Sequence, residues 1–408
     1  MSSSSAPATP PHGVFLKSST KHTSSRISLP LAGSEFFLNH NHLKPGDKAE
    51  LLSYDKTINM YRDNAKRTND PNIQCDLAIY LVESSKENTK ERNAYILEAE
   101  KILKALSMRG HPESQYYLAN MYASGILHKS GKPNFGNAFP LFVQAAKHQH
   151  VDASYRAAKC YEDGLGCLKN KSKAVQYYKL AATLNHPGAM YRLGLAEIHG
   201  SLGMSRNVRD GNKWLKRAAE AATSQYPHAL HELGLLHEKG LDGIIFKDLS
   251  YSVQLYTHAA ELKYAPSASR LGEAYEFGYL NCKRDAAASI YYYTISANQG
   301  VPEACFALSA WYISGEKDVF EPSEEKAYYW ANMAAKMGYA KGQFALGYFT
   351  ETGLGCSKDE STAMSWYKKA AEQGDQQAIQ RLQTGKHIRP KKNTQKQRPP
   401  VPAATLST

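Results

Sequence analysis

Residues 345–374 read "ALGYFTETGLGCSKDESTAMSWYKKAAEQG". Two helix-like runs flank the glycine pair Gly353 and Gly355, and Lys358 stands nearby, a combination that by itself suggests a phosphate-binding loop. Such a loop requires G-x-x-x-x-G-K-[ST] after a buried strand, and the stretch supplies neither. Its meaning comes from recurrence. Aligned on the glycine that ends the first run, the chain also contains "LANMYASG", "AAKCYEDG", "LGLAEIHG", "LGLLHEKG", "LGEAYEFG" and "LSAWYISG", each in the register of "LGYFTETG". The closing residues are Gly125, Gly164, Gly200, Gly240, Gly278, Gly315 and Gly353, stepping by 39, 36, 40, 38, 37 and 38 residues. After each comes a second signature: "FVQAAK", "KLAATL", "KRAAEA", "THAAEL", "TISANQ", "NMAAKM" and "KKAAEQ". Seven registers in phase define a repeat protein. "GLG" recurs at Gly164–Gly166, while five of the seven units replace or displace the second glycine. The loop is therefore read as a joint between helices.

Each unit is a helical hairpin. Helix A carries a small residue, then Leu and Gly, then an aromatic or His, as in Ser267, Leu271, Gly272 and Tyr275. Glycine inside a helix costs about 1 kcal/mol relative to alanine, so its recurrence predicts close approach of a neighbouring backbone. The closing glycine suits the left-handed conformation that stops a helix. Helix B places aromatics one turn before an Ala-Ala pair, as in Trp366, Tyr367, Ala370 and Ala371, on one face. Small residues opposite rings interdigitate, which accounts for the 27 tyrosines.

The 408 residues are 42% hydrophobic and 22% charged, enough for a substantial core. No run of about 18 apolar residues occurs, so no membrane span is expected. "MSSSSAPATPPHGVF" lacks the charged and apolar regions of a secretory signal. Cys75, Cys160, Cys167, Cys282, Cys305 and Cys356 are dispersed, without a C-x-x-C pair, and are expected as reduced thiols. The expected setting is cytoplasmic. The organisation read from these patterns is a Ser/Thr/Pro-rich disordered tail over 1–45 and N-terminal helices with a capping unit over 46–110. Seven repeats follow over 111–374, then a capping helix over 375–383 and a basic disordered tail over 384–408.

The formal net charge is +12, and the last segment holds Lys386, Arg389, Lys391, Lys392, Lys396 and Arg398 with no acid. Such a tail suits an anionic lipid surface or an acidic protein, or merely solubilises; RNA binding and nuclear import use similar runs, but no nucleic-acid partner is expected. "RPPVP" at 398–402 has the P-x-x-P spacing of SH3 ligands. His228, His231 and His237 cluster in "HALHELGLLHEKG" without forming H-E-x-x-H, so no metal is expected. No Ser-His-Asp or Cys-His set assembles, and neither catalytic residues nor cofactors are expected. The residue before the helix-A Leu position reads Tyr117, Arg156, Arg192, Glu232, Arg270, Ala307 and Ala345. Arg156, Arg192 and Arg270 are the candidate partner-binding residues, guanidinium groups suited to carboxylates; the alternative is a solvated face with i,i+4 pairs. Three loops, "GILHKSGKPNFGN", "GLDGIIFKDLSYS" and "GEKDVFEPSEEK", exceed what the joint needs, and their apolar residues are expected to dock on a partner or on the adjacent repeat.

The glycine-ended helix A, the "GLG" joint and "WYKKAAEQG" resemble Sel1-like repeats, relatives of the tetratricopeptide repeat. The phrases "YDKTINMYRDNAKRTNDPNIQ", "HPGAMYRLGLAEIHG", "PHALHELGLLHEKG" and "KAYYWANMAAKMGYAKGQFALGYFTETGLG" further resemble the fungal chitin synthase regulatory family, and the likeness extends over about Ser53 to Leu382. The resemblance implies an all-α fold, an α/α superhelical solenoid. It also implies a non-enzymatic activator or positioner of an integral-membrane chitin synthase in cell-wall and septum assembly, at the cytoplasmic side of the plasma membrane. Cortical or septum scaffold proteins are further implied partners; the alternative is a Sel1-like scaffold in quality control or signalling. Some members of the family end in a prenylated C-a-a-X box, whereas this chain ends Thr405-Leu406-Ser407-Thr408, so prenylation is not expected.

Overall fold

The structure, a computed structural model, describes residues 54–87, 91–128, 130–317 and 319–385. The tails expected over 1–45 and 384–408, with "RPPVP", lie outside these residues apart from the end of the last helix. Three helices come first: α1 Tyr54–Thr68, α2 Pro71–Glu87 and α3 Arg92–Met108. Seven hairpins follow, each an A helix and a B helix. They are α4 Pro112–Ala123 with α5 Phe135–Lys147, α6 Val151–Asp163 with α7 Lys171–Thr183, α8 Pro187–His199 with α9 Val208–Glu220, and α10 His228–Lys239 with α11 Leu249–Glu261. The series continues with α12 Ala265–Phe277 and α13 Ala286–Ala297, α14 Pro302–Ser314 and α15 Glu324–Lys336, and α16 Ala340–Thr352 and α17 Glu360–Glu372, and ends in α18 Gln376–Thr384. Each helix packs on its predecessor and its successor, and the next tier of contacts joins helices two apart. That serial packing is the architecture of an α/α solenoid.

One joint is built seven times. The first residue before each B helix is Asn134, Asn170, Asn207, Asp248, Asp285, Ser323 or Asp359, and its side chain accepts the N–H three residues on, at 2.9–3.4 Å. The same residue's own N–H donates back to the carbonyl three residues before the closing glycine: Tyr122, Tyr161, Glu197, His237, Tyr275, Tyr312 and Thr350 in turn, at 2.7–3.0 Å. Side chain and backbone together satisfy one orphan group at each helix end and fix the hairpin angle.

The glycines fall into three structural roles. Gly164, Gly200, Gly278 and Gly353 end their helices in the left-handed region. Gly240 and Gly315 correct the uniform expectation: their φ is positive but ψ is 158° and 177°. Only glycine is at ease there, and the chain leaves into a small antiparallel bridge, Leu241–Ile245 or Glu316–Phe320. The second glycine of "GLG" explains the opening stretch. A Cβ on Gly355 would stand 2.2 Å from the Glu324 carbonyl oxygen, and one on Gly166 would stand 2.1 Å from that of Phe135. Phe135 and Glu324 open α5 and α15, so this glycine lets a loop lie against the previous repeat's B helix.

Within the A helices, the expected backbone approach occurs at Gly194, where the facing Gly211 has its own Cβ position 2.7 Å from the Gly194 carbonyl oxygen. At the other three glycines of this column the nearest neighbour is a ring. Cβ atoms on Gly234, Gly272 and Gly347 would meet Tyr256, Tyr293 and Tyr367 of the same hairpin at 2.4, 2.7 and 2.8 Å. These rings belong to a core column of Phe142, Tyr178, Leu215, Tyr256, Tyr293, Ala331 and Tyr367, all buried. The column narrows at Ala331, and in the same core cluster Trp311 is fully buried, its indole donating to Ser289 Oγ at 3.1 Å. Of the long loops, Ile126, Leu127, Ile245 and Phe320 pack onto their own chain, while Phe246 and Val319 stay exposed.

Candidate partner-binding site

The candidate arginines project from consecutive A helices, and the structure separates them by what they touch. The Arg192 guanidinium pairs with Glu162 at the end of the previous repeat's A helix. Arg270 pairs likewise with Glu238, Nη2 to Oε1 at 2.6 Å, and also with Glu273 at 2.6 Å. Arg381 in α18, one register beyond the residues singled out, pairs with Glu351, both almost wholly buried. Two of the three candidates therefore find their carboxylate inside the chain. Apart from Arg270–Glu273 within α12, these pairs are not neighbours on one helix: they cross from one repeat to the next.

A tyrosine completes each pair. The Tyr178 hydroxyl donates to Glu162 at 2.5 Å, Tyr256 to Glu238 at 3.1 Å and Tyr367 to Glu351 at 2.7 Å. Tyr293 donates to Glu276 at 2.9 Å in the fifth repeat, and Ala307 of the sixth repeat holds the arginine register. Each tyrosine is a core-column residue, so the carboxylate satisfies a buried phenol from below and a guanidinium from the side. Burial raises the Glu162 carboxyl's pKa, but the hydrogen bonds from Arg192 and Tyr178 outweigh it and hold the group below the usual carboxylate range. Burial drives the Tyr178, Tyr256 and Tyr367 hydroxyls far above their ordinary range, with the neighbouring carboxylate adding to it.

This clasp was legible but missed. The residue two before the closing glycine reads Ala123, Glu162, Ile198, Glu238, Glu276, Ile313 and Glu351. It is Glu wherever the core column offers Tyr, and apolar wherever that column offers Phe142, Leu215 or Ala331. Read alone, the arginine column suggests a partner; read against the acid one repeat earlier, two of its members are structural. Arg156 is the exception. Ala123 stands where its acid would be, and among the described residues it has no ion-pair partner. It is exposed, within hydrogen-bonding reach of the Tyr116 hydroxyl.

The histidines go separate ways. His231 Nδ1 lies 2.9 Å from Ser267 Oγ and His237 Nδ1 lies 3.0 Å from the Phe246 carbonyl oxygen, while His228 packs against Tyr191 and Tyr264. Burial, and then the charge of Arg270, lower His231 to about 4. His111, His150 and His186 instead cap A helices, each Nδ1 accepting the N–H three residues on. Burial raises the Cys160 and Cys305 thiols to about 12 and about 11, so neither is a nucleophile at neutral pH.

The Sel1 repeat model matches seven times, at 112–150, 151–186, 187–222, 227–264, 265–301, 302–339 and 340–375. The chain belongs to the Sel1 repeat family. Among curated proteins, the chain is 47% identical over 360 residues to the chitin synthase regulator SKT5 of Malassezia restricta, covering 85% of this chain and 25% of that protein. It is 39% identical over 350 residues to the chitin synthase regulator SKT5 of Saccharomyces cerevisiae, covering 81% and 50%. Chitin synthase regulatory factor 3 of Schizosaccharomyces pombe is 32% identical, covering 83% and 33%. The chain thus spans between a quarter and a half of the length of these relatives, and they agree with the family resemblance read from its phrases. Among solved structures, a protective antigen of uropathogenic Escherichia coli with an SLR fold superposes at a TM-score of 0.61 with 23% identity, covering 81% and 68%. A Sel1 repeat protein of Oxalobacter formigenes gives 0.56 with 22% identity, covering 84% and 98%. Both likenesses are of fold.

Proposed function

We propose that this Sel1 array is a non-catalytic adaptor that binds a membrane chitin synthase and regulates or localises it during cell-wall and septum formation. The observation that carries the reading is the similarity, over more than four-fifths of the chain, to three proteins named as chitin synthase regulators. The fold supports it. Stacked hairpins present a long face of side chains to another protein, and none of the described helices is long and apolar enough to cross a membrane. In this reading the array meets the enzyme's cytosolic segments at the inner side of the plasma membrane. The basic tail beyond the described residues adds roughly 1 kcal/mol per basic residue near an anionic surface. Arg156 is the helix-A arginine proposed to meet a partner carboxylate; Arg192 and Arg270 hold the scaffold that presents it.

The test is affinity purification of the full chain from mild detergent, read by mass spectrometry, with wall chitin measured in cells lacking it. Recovery of a chitin synthase and a drop in chitin are expected. Unchanged wall polymer with no synthase recovered would refute the reading.

A further inference from the structure

Charge is not spread evenly along the array. Residues 164–220, from the second joint to the end of α9, hold ten basic and three acidic residues, whereas 221–385 hold fourteen and nineteen. Two of the ten are spent inside the chain, Arg192 on Glu162 and Arg206 on Asp242. The other eight are exposed: Lys169 in the joint, Lys171, Lys173 and Lys179 on α7, and Arg209, Lys213, Lys216 and Arg217 on α9. α7 and α9 are the B helices of adjacent repeats, and both pack on α8. Arg209, Lys213 and Lys216 follow at spacings of four and three, which sets them on one face of α9, turned away from the buried Leu215 and Ala218. Of the three acids, Glu197 is half-buried in α8 and Glu220 closes α9, while Asp210 accepts from Lys213 at 2.9 Å in an exposed pair that contributes little.

Packing does not ask for these charges. In the other repeats the register of Lys179 and Lys216 holds Val143, Thr257, Thr294, Asn332 and Lys368, and α13 has no charged residue at all. The surroundings select the partner. Lys173 covers the Tyr161 ring, 5.4 Å from its centroid, and Arg217 covers Trp214 at 4.9 Å, so these rings offer no open platform to the bases of a nucleic acid. Six of the eight cations are lysines, hydrated point charges rather than forks for a single carboxylate. Beside Lys169 stands Leu168, 91% exposed, the most exposed large apolar side chain among the described residues. Leu168 and Arg209 both lie at the N-terminal ends of their B helices, on the rim that the joints form. An aliphatic tip among lysines fits a surface that is anionic outside and hydrocarbon beneath. The chain's own tails do not fit, since 386–408 has no acid and 1–53 has five basic residues against three acidic ones.

We infer that the outer face of α7 and α9, with Leu168 at its rim, lies against an anionic lipid bilayer. The lysines and arginines meet the headgroups, and Leu168 enters the boundary with the acyl chains. Such a face deepens the adaptor reading, since it holds the array beside a membrane enzyme, but its test contains no synthase. Failure with vesicles removes the face and leaves the purification result untouched.

The test is flotation of the full chain with vesicles of pure phosphatidylcholine, and with vesicles in which one-third is phosphatidylserine. Binding to the second and not to the first is expected, and it should weaken as salt rises. Arg209→Gln, Lys213→Gln, Lys216→Gln and Arg217→Gln together should weaken it by at least about a hundredfold. Lys263→Gln, Lys317→Gln, Lys336→Gln and Lys368→Gln together make the same change of charge elsewhere and should leave it within about twofold. Leu168→Gln should weaken it by about fivefold with no change of charge. Replacing the six tail cations by Gln should reduce binding without abolishing it, and helical circular dichroism checks that every variant is folded. No binding to the phosphatidylserine vesicles, equal losses in the two fourfold variants, indifference to Leu168→Gln, or no binding once the tail is neutral would each overturn the inference. So would capture of poly-glutamate or RNA in place of the vesicles.

Discussion

At the residue scale, the clasp at the C-terminal end is the most exposed to test because it is the most buried. Glu351 and Arg381 are only 1% and 4% accessible, and a charge left there without its partner is costly. Glu351→Ala should destabilise the array by about 3–5 kcal/mol, read by urea titration of the helical circular dichroism. The chain already contains an apolar solution at the same register, Ile198 over Leu215. The triple change Glu351→Ile, Tyr367→Phe and Arg381→Leu removes every member of the network together and should cost less than the single change. If the single change proves the milder of the two, the clasp is not a buried charge network. A second prediction concerns His231. Its folded pKa of about 4 lies below the ordinary 6.5, so between those values the unfolded chain binds the extra proton. Stability from this group is full above pH 6.5 and falls as pH drops toward 4, by at most about 3 kcal/mol. His231→Gln should flatten that part of the pH–stability curve, and an unchanged slope would place the acid sensitivity elsewhere.

At the element scale, the hairpin joint rests on the cap column. Asp359 accepts the Thr362 N–H at 3.1 Å and donates its own N–H to Thr350 at 2.9 Å. Asp359→Ala keeps the backbone bond and removes the cap, so the expected loss is about 1 kcal/mol in a chemical melt. Asp359→Pro removes the backbone donor as well and should cost clearly more; equal losses would mean that the back-donated bond is idle. How far elements were readable follows from the kind of pattern each leaves. Gly125 to Gly353 and the Ala-Ala pairs recur in single columns, and a column is visible by sliding the chain against itself. The clasp is a relation between columns in different repeats: Glu162 gains its meaning only with Tyr178 and Arg192. A glycine such as Gly272 announces that something comes close without saying what, so the Tyr293 ring stands where a backbone is expected.

At the scale of the whole array, serial contact makes stability a sum of local terms. Each helix touches mainly its neighbours, so a lost interaction is felt by the hairpins that share it and fades along the stack. The clasps grade the interfaces further. Arginine-bridged glutamates join the second repeat to the third, the fourth to the fifth and the seventh to α18, whereas Ile198 and Ile313 leave the junctions after the third and sixth repeats without one. Glu351→Ala should therefore speed amide exchange in α16, α17 and α18 while α4 to α9 keep wild-type protection under native conditions. Glu238→Ala should act on α10 to α13 and leave both ends protected. Hydrogen–deuterium exchange with peptide-level mass spectrometry reads the difference directly. A globule with one shared core would instead lose protection everywhere in step. If Glu351→Ala raises exchange uniformly from α4 to α18, the repeats are coupled more tightly than their contacts imply, and a partner gripping one end would be felt at the other.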